Sequence, residues 1–415
     1  MGGAAQAVRR GVRRVRQGRR RPPDRFEVLP ARGQQVSRDI FIVSNSVDEL
    51  GGVTTWSHQM ARLFTERGHR VHMIGITPST VSHRSAGELP YETTTLYDTH
   101  PPQAWSPKTL GDLANMSARM RQARRRAGMR EQAAKLTALF RAARPGGVLI
   151  VTQVWAMEWV NLADTGDLTV IGMSHESFAA ARASSRFARV KRHYKDVDRF
   201  LTLTREDADL WARQGMNNVG FMPNALPWVP GTTSPRSEKA VATVARLSQE
   251  KGIDMLLDAW AVAVAEHPGW TLRIYGAGED EQVLKQQAAR LELDGSVEWM
   301  GRTDDVPGAL RSASVFALPS RAEGFPLTLL EAMVSALPCV AFDVAPGVRE
   351  IIADEEDGFL AAPGNIWAFA EKLGILMGDA HLRDTMGERA AVAIQRYTTE
   401  KIVARWEELF DFLEL

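Results

Sequence analysis

Between Ser320 and Val340 the chain reads S-R-A-E-G-F-P-L-T-L-L-E-A-M-V-S-A-L-P-C-V. The apolar run Val315 to Leu318 leads into it and predicts a buried strand. A Gly-Phe-Pro turn follows, then a helix carrying Leu327, Leu330, Met333 and Val334 at helical spacing. Pro326 suits the first helical position, where its missing N–H is no loss. The amides of Phe325, Leu327 and Thr328 then cluster at a positive helix end, a site for anionic or hydroxyl oxygens. Glu323 precedes the helix and Glu331 lies inside it. About 8 Å of helical rise separates Pro326 from Glu331. Two glutamates so placed do not form a proton-sharing dyad. They read as two grips on one elongated ligand.

This E-x7-E arrangement, with Gly-Phe-Pro after the first Glu, resembles the signature of the family-4-type retaining GT-B glycosyltransferases (glycosyl transferases group 1). The resemblance implies that Glu323, Gly324, Phe325 and Pro326, with the Leu327 and Thr328 amides, hold a donor sugar. It assigns Glu331 to the nucleotide ribose. An ordinary strand-turn-helix with two surface glutamates is the plainer alternative for these residues taken alone.

The motifs around it extend the resemblance over about residues 40–415. In A-R-L-S-Q-E-K-G-I-D, after a strand at Val241–Val244, Arg246 and Lys251 flank a turn at a strand's carboxyl end. Two cations there can neutralise a diphosphate. The run is similar to the family's R-L-x-x-x-K-G motif, whose Arg and Lys hold the donor pyrophosphate. The turn G-A-G-E-D brings Gly276 and Gly278 near the nucleotide by the same likeness; alone it is a weak signal, and the full G-x-G-x-x-G of a dehydrogenase is missing. V-E-W-M-G-R at Val297 to Arg302 matches the strand beside the base pocket and adds Gly301 and Arg302.

The first half opens with I-F-I-V-S after Asp39, a turn through Gly52, an amphipathic helix with Trp56, Met60, Leu63 and Phe64, and the strand R-V-H-M-I-G-I. This is a β-α-β unit with a Gly-Gly pair at the helix entrance, where backbone can approach a phosphate. The run G-G-V-T-T-W resembles the family's first-helix signature, in which Gly52 faces donor phosphate and acceptor. The strand L-T-V-I-G-M-S ends in His175-Glu176-Ser177, where ligands bind in open α/β sheets. The family places a functional histidine at His175. Asp196-x-Asp198 looks like a metal-binding pair but precedes its strand, and reads as a surface turn. F-M-P-N-A at Phe221 to Ala225 resembles the segment closing the first domain. A Pro-, Gly- and Ser-rich linker follows, and the α/β alternation starts again.

The fold expected is therefore α/β, a GT-B architecture of two Rossmann-like domains facing across a cleft. The expected parts are a basic arm at 1–37, an acceptor domain at 38–228 with the helix 397–415 crossing back onto it, and a donor domain at 229–396.

Composition sets the other bounds. The 415 residues suffice for two domains, and the formal net charge is +1. The single cysteine, Cys339, sits in an apolar run and reads as a buried thiol; no disulfide can form within the chain, which fits a reducing, cytoplasmic setting. No apolar run is long enough for a membrane span, and no secretory h-region follows the basic N-terminus. Residues 1–23 hold eight arginines and no acid. A solvated arm, a helix on an anionic membrane and a transit peptide are all open there. Residues 117–144 carry nine Arg or Lys against one Glu at helical spacing. A solvated face is the default, and a membrane-surface role is the alternative, since some relatives rest a basic helix of this region on anionic lipid. The basic stretch Arg182–Lys195 can meet an acidic or phosphorylated acceptor. No recognition motif supports nucleic-acid binding.

The resemblance implies a retaining, metal-independent transfer of a hexose-type sugar from a nucleotide-sugar, with UDP as the expected nucleotide. Its acceptor is a hydroxyl, on a cell-envelope, lipid-linked or anionic glycoconjugate. The nucleotide-sugar is substrate, and no cofactor or metal is expected. Arg246, Lys251, Glu323 and His175 carry the chemistry. A GT-B epimerase and a non-catalytic nucleotide-sugar-binding protein remain open alternatives.

Overall fold

Ile40–Val43, Val148–Val151 and Val315–Leu318 are buried along their whole length, as strands covered on both faces by helices must be. These and the other apolar runs build two parallel sheets in the computed structural model. The structure describes residues 37–415, apart from 50, 80–87, 106–108, 110–113 and 415. The basic arm expected at 1–37 lies, but for Ser37, outside the described residues.

The first sheet takes its strands from β1 (Asp39–Ser44), β2 (Arg70–Gly75), β3 (Glu92–Thr95) and β4 (Val148–Val151). It continues through β5 (Thr169–Met173), β6 (Arg199–Thr202) and β7 (Val219–Phe221). Its order is β3-β2-β1-β4-β5-β6-β7. The helices between them are α1 (Gly52–Glu66), α2 (Met116–Arg141), α3 (Met157–Val160), α4 (Phe178–Arg182), α5 (Arg186–His193) and α6 (Arg205–Arg213).

The second sheet comprises β8 (Ala240–Val244), β9 (Thr271–Tyr275), β10 (Val297–Gly301), β11 (Val315–Leu318), β12 (Cys339–Phe342) and β13 (Gly358–Ala361). Its order is β10-β9-β8-β11-β12-β13. The helices here are α7 (Ile253–Glu266), α8 (Glu281–Arg290), α9 (Val306–Arg311), α10 (Leu327–Val334), α11 (Pro346–Ile351), α12 (Ile366–Gly378), α13 (Ala380–Ala393) and α14 (Thr399–Glu414). Every strand pairing is parallel, so each sheet presents all its strand-to-helix loops on one edge.

The last helix, α14, returns to the first sheet. Trp406 is fully buried, with ring contacts of 6.1 Å to Trp56 and 6.0 Å to Phe64 on α1. Removing an indole of this kind costs about 3–5 kcal/mol. Arg38 adds a polar tie at the same end, 2.7 Å from both Asp411 and Glu414. One buried apolar cluster runs from Ile40 and Trp56 through Trp406 and Tyr397 to Phe325 and Phe316, so both sheets share it.

The basic helix expected at 117–144 is α2, and not all of its charge is solvated. Arg125 is buried, donating to the Pro102 carbonyl at 2.8 Å and lying over Trp159 at 5.3 Å. Arg144 grips the buried Asp39 carboxylate at 2.7 Å. Burial raises the Asp39 pKa, but the two hydrogen bonds from Arg144 and its charge, with that of Arg70, outweigh it and hold the carboxyl below its ordinary value. Arg121, Arg124, Arg126 and Arg130 are exposed, as are Met116 and Met120. Among the described residues no helix is long and apolar enough to cross a membrane.

Candidate active site

On the second sheet, the loops after β8, β9, β10 and β11 are stitched into one surface. Leu247 N–H donates to the Ala277 carbonyl at 3.1 Å, and Asp280 N–H returns to the Leu247 carbonyl at 3.1 Å. Gly276 N–H donates to the Gly301 carbonyl at 2.8 Å, and Arg321 N–H to that of Glu250 at 2.8 Å. Arg321 also clamps Asp254 with both guanidinium arms, which fixes the start of α7 beneath the loops.

Gly276 and Gly278 work inside this lattice. A side chain on Gly276 would strike the Ala245 carbonyl, and one on Gly278 the Leu247 carbonyl. Their smallness lets the β9 turn lie against the loop that carries Arg246. Arg246 itself is exposed on that loop. Gly301 and Arg302 are exposed at the end of β10.

Lys251 ends a short 3-10 turn, Gln249–Lys251, and its Nζ lies 2.7 Å from Glu323 Oε1. Ser320, buried at the end of β11, donates its hydroxyl to the same oxygen at 2.7 Å. Glu323, expected at the sugar, and Lys251, expected at the pyrophosphate, thus meet, a pairing that their motifs do not show. Nor do the motifs single out Ser320.

The turn into α10 differs from expectation by one residue. Pro326 is the N-cap, with extended backbone (φ −68°, ψ 116°), and the helix starts at Leu327. Contacts from remote residues hold the turn before it: Phe325 is buried edge-on against Tyr397 at 5.2 Å, and its carbonyl accepts from Asn224 Nδ2 at 3.0 Å. That anchors the turn in front of the extended Pro326. The amides of Leu327 and Thr328 still belong to the first turn, whose N–H groups have no helical acceptor.

Glu331 lies one turn further, beside Trp228 of the segment joining the sheets. Trp228 Nε1 donates to Glu331 Oε1 at 3.2 Å. Burial pushes the Glu331 carboxyl up to about 7, against the pull of that hydrogen bond. Part of the residue's surface still stays open.

The first sheet brings His175 to this surface. A side chain on Gly324 would collide with the His175 carbonyl and come within 3.4 Å of the Glu176 Cα. The turn after β11 and the end of β5 are therefore in direct backbone contact. The His175 ring packs on Trp56 at 4.9 Å, and its Nε2 is buried without a partner among the described residues. Burial holds its pKa down to about 4, so the imidazole is neutral near pH 7. Gly52 is exposed at the first position of α1.

A cavity of about 780 Å³ opens at the loop edge of the first sheet, lined in part by Asn45, Gln153, Trp155, His175, Glu176 and Arg186. In the sequence Glu176 stands out only as part of the polar trio at the end of β5. Asp198 spends a carboxylate oxygen on the Val170 N–H at 2.8 Å, which ties the start of β6 to β5 and fits the turn expected at Asp196-x-Asp198. Among the described residues no group of three or more His, Cys, Asp or Glu is placed to hold a metal. Cys339 is fully buried in β12.

Residues 228–392 match the family described as Glycosyl transferases group 1. This part of the chain is a group 1 glycosyl transferase domain. It contains Arg246, Lys251, Glu323 and Glu331, together with the stitched loops that carry them. A Haemophilus influenzae protein described as an uncharacterized glycosyltransferase is 35% identical over 212 residues, 51% of this chain and 60% of its own. Exopolysaccharide phosphotransferase SCO2592 of Streptomyces coelicolor is 36% identical over 219 residues, 52% of this chain and 23% of its own. The chain thus spans less than two thirds of the length of either relative. A point mutant of S. aureus TarM, solved with fondaparinux, alpha-GlcNAc-glycerol and UDP, superimposes with a TM-score of 0.72. It is 15% identical, over 90% of this chain and 100% of that one. At that identity the likeness speaks for the fold, which is GT-B: two Rossmann-like units, one of them the group 1 glycosyl transferase domain.

Proposed function

We propose that the chain is a retaining glycosyltransferase that moves a hexose-type sugar from a UDP-sugar to an acceptor hydroxyl. The observation that carries this reading is the meeting of Lys251 and Glu323 at 2.7 Å inside the group 1 glycosyl transferase domain, on the loop surface that also holds Arg246.

In this reading the diphosphate lies between Arg246 and Lys251. Their charges, with the amides of Leu327 and Thr328, stabilise the negative charge that builds on the leaving UDP. No bound divalent cation is assigned to that task. Glu331 accepts hydrogen bonds from the ribose hydroxyls, and Glu323 with the Gly324–Phe325 backbone holds the sugar. Gly276, Gly278, Gly301 and Arg302 frame the nucleotide from the β9 and β10 turns. Gly52 and the neutral His175 face the sugar and acceptor from the first sheet. Retention is taken from the family likeness; delivery of the acceptor hydroxyl on the face the leaving group departs from accounts for it without a covalent intermediate. The UDP of the TarM complex supports the choice of nucleotide.

The acceptor we assign is a cell-envelope glycoconjugate, in keeping with the exopolysaccharide relative. The exposed arginines of α2 with Met116 and Met120 form a face suited to an anionic membrane surface, which would keep a lipid-linked acceptor near the cavity at the cytoplasmic side. An epimerase or a mere nucleotide-sugar binder uses the same donor grips, but the group 1 family match favours transfer.

The test is UDP release from UDP-glucose, UDP-galactose and UDP-N-acetylglucosamine, with the anomeric configuration of the product read by proton NMR. Turnover of one donor with an α product, lost in Arg246→Ala and Glu323→Ala, is the expected result. Free nucleotide with no glycosylated acceptor in a cell-envelope extract would instead support the epimerase.

A further inference from the structure

The geometry points to Glu176 as the residue that receives the acceptor: its carboxylate, held by Arg186, takes a hydrogen bond from the attacking hydroxyl of an uncharged sugar or polyol. The inference rests on the glycosyltransferase reading and adds to it the acceptor residue and the acceptor's chemical class.

Position comes first. Glu176 lines the cavity of the first sheet, and its backbone faces the Gly324 turn. It is thus both a wall of the cavity and a neighbour of the turn assigned to the donor sugar. A hydroxyl in the cavity that reaches toward that sugar passes the Glu176 side chain.

Orientation comes second. Arg186 holds the carboxylate with two contacts, Nε to Oε1 at 2.8 Å and Nη1 to Oε2 at 3.0 Å. A fork of this kind fixes the plane of the carboxylate and leaves lone pairs on each oxygen for a further donor. Arg186 is anchored in turn at the start of α5, on the wall of the same cavity.

Charge comes third, and it decides the class of ligand. The sequence suggested that the basic stretch Arg182–Lys195 meets an acidic acceptor. Within the cavity, however, Arg186 is already paired with Glu176, and Arg189 lies 3.8 Å from Glu158. Exposed Glu49 adds a further carboxylate to the wall. An anion at this place would be repelled by the Glu176 carboxylate. An uncharged hydroxyl would donate a hydrogen bond to it.

Two buried polar atoms on the cavity wall give independent support. Asn45 Oδ1 and His175 Nε2 have no hydrogen-bond partner among the described residues. Buried polar atoms left unpaired are costly, and such atoms at a cavity wall mark where a ligand or water completes the set. A polyhydroxylated ligand can donate to both, while Trp155 offers a ring for its C–H face. Any anionic remainder of the acceptor then lies outside, along the exposed arginines of α2.

The experiment compares the wild type with Glu176→Gln, Glu176→Ala and Arg186→Lys. UDP release from the three UDP-sugars is followed in water alone, and then with methyl α-glucoside and glycerol beside glycerol 3-phosphate and glucuronate. UDP binding is measured by calorimetry in every variant. Misplacing the reacting hydroxyl is expected to lower UDP release by about 10²-fold in both Glu176 variants, with UDP affinity within twofold of wild type. Arg186→Lys, which loses the fork, should lower kcat less than the Glu176 variants do and raise the KM of the acceptor, and the neutral acceptors should outpace the anionic ones. UDP release at the wild-type rate in Glu176→Ala, loss of UDP affinity in step with activity, or preference for an anionic acceptor would overturn the inference alone. A wild type that binds no UDP, or binds it and releases none in any arm, overturns the glycosyltransferase reading as well.

Discussion

Lys251 and Glu323, 72 residues apart in the chain, are joined at 2.7 Å, and Ser320 donates to the same carboxylate oxygen. The side chains are 23% and 9% exposed, so the pair sits between a surface ion pair and a buried one. Its partners come from different loops, and it locks the turn after β8 to the turn after β11. Lys251→Ala removes charge from the leaving group and leaves Glu323 without its cation. Turnover should fall roughly 10²–10³-fold. Stability should drop by about 2 kcal/mol, above the surface-pair range and below the cost of opening a fully buried pair. Steady-state rates and chemical denaturation check the two effects separately.

Gly324 faces the His175 carbonyl, which is backbone and cannot rotate away. Gly324→Ala therefore relieves its clash only by drawing the donor turn back from the first sheet. Overpacking of this kind costs about 1–3 kcal/mol. The variant should still bind UDP through Arg246 and Lys251 but lose sugar transfer. Calorimetry and UDP release read the two properties, and unchanged transfer would refute the contact's importance.

Glu331 gives donor binding a pH dependence. Its carboxyl is raised to about 7 by burial, so it is largely protonated at pH 6 and ionised at pH 8. Ribose hydroxyls donate to the ionised form, and UDP affinity should weaken as pH falls through 7. Glu331→Gln should flatten that profile. Trp228→Phe removes a donor that favours the carboxylate, and should move the midpoint upward. For folding the sign is opposite: a raised pKa contributes stability that is complete below the ordinary value of 4.5 and is lost as pH rises through 7.

His175 acts at the acid end. Its folded pKa, about 4, lies below the ordinary 6.5 because burial disfavours the imidazolium. The stability it contributes is present above pH 6.5 and is lost as pH falls toward 4. His175→Gln should flatten the melting temperature over that window, while the wild type declines.

The strands were legible in the sequence because a parallel strand covered on both faces must be apolar throughout. Val315–Leu318 occurs as expected, and the expected Val241–Val244 is extended by one residue, Ala240. The loop residues were legible as motifs, since Arg246, Lys251, Glu323 and Glu331 are close to one another along the chain or sit at fixed spacing. What local pattern could not carry was pairing across distant loops. The Lys251–Glu323 contact depends on the strand order β8-β11, in which elements far apart in sequence become neighbours. Pro326 stands one position before the helix rather than in it, where Tyr397 and Asn224, both remote in sequence, hold the preceding Phe325. Gly276 and Gly278 read as nucleotide-side glycines, and a need local motifs do not show is that their missing side chains also make room for carbonyls of the β8 loop. Glu176 was visible only as a polar residue at a strand end. Its significance comes from Arg186 on the next element but one and from the Gly324 turn of the other sheet.

The most direct test of the account is a calorimetric titration of UDP, with GDP alongside, into the wild type and Arg246→Ala. Saturable binding of UDP that is at least tenfold weaker in Arg246→Ala is the predicted result. Absence of UDP binding, or binding of equal strength in the variant, would contradict the assignment of the Arg246, Lys251 and Glu331 loops as a nucleotide-sugar site.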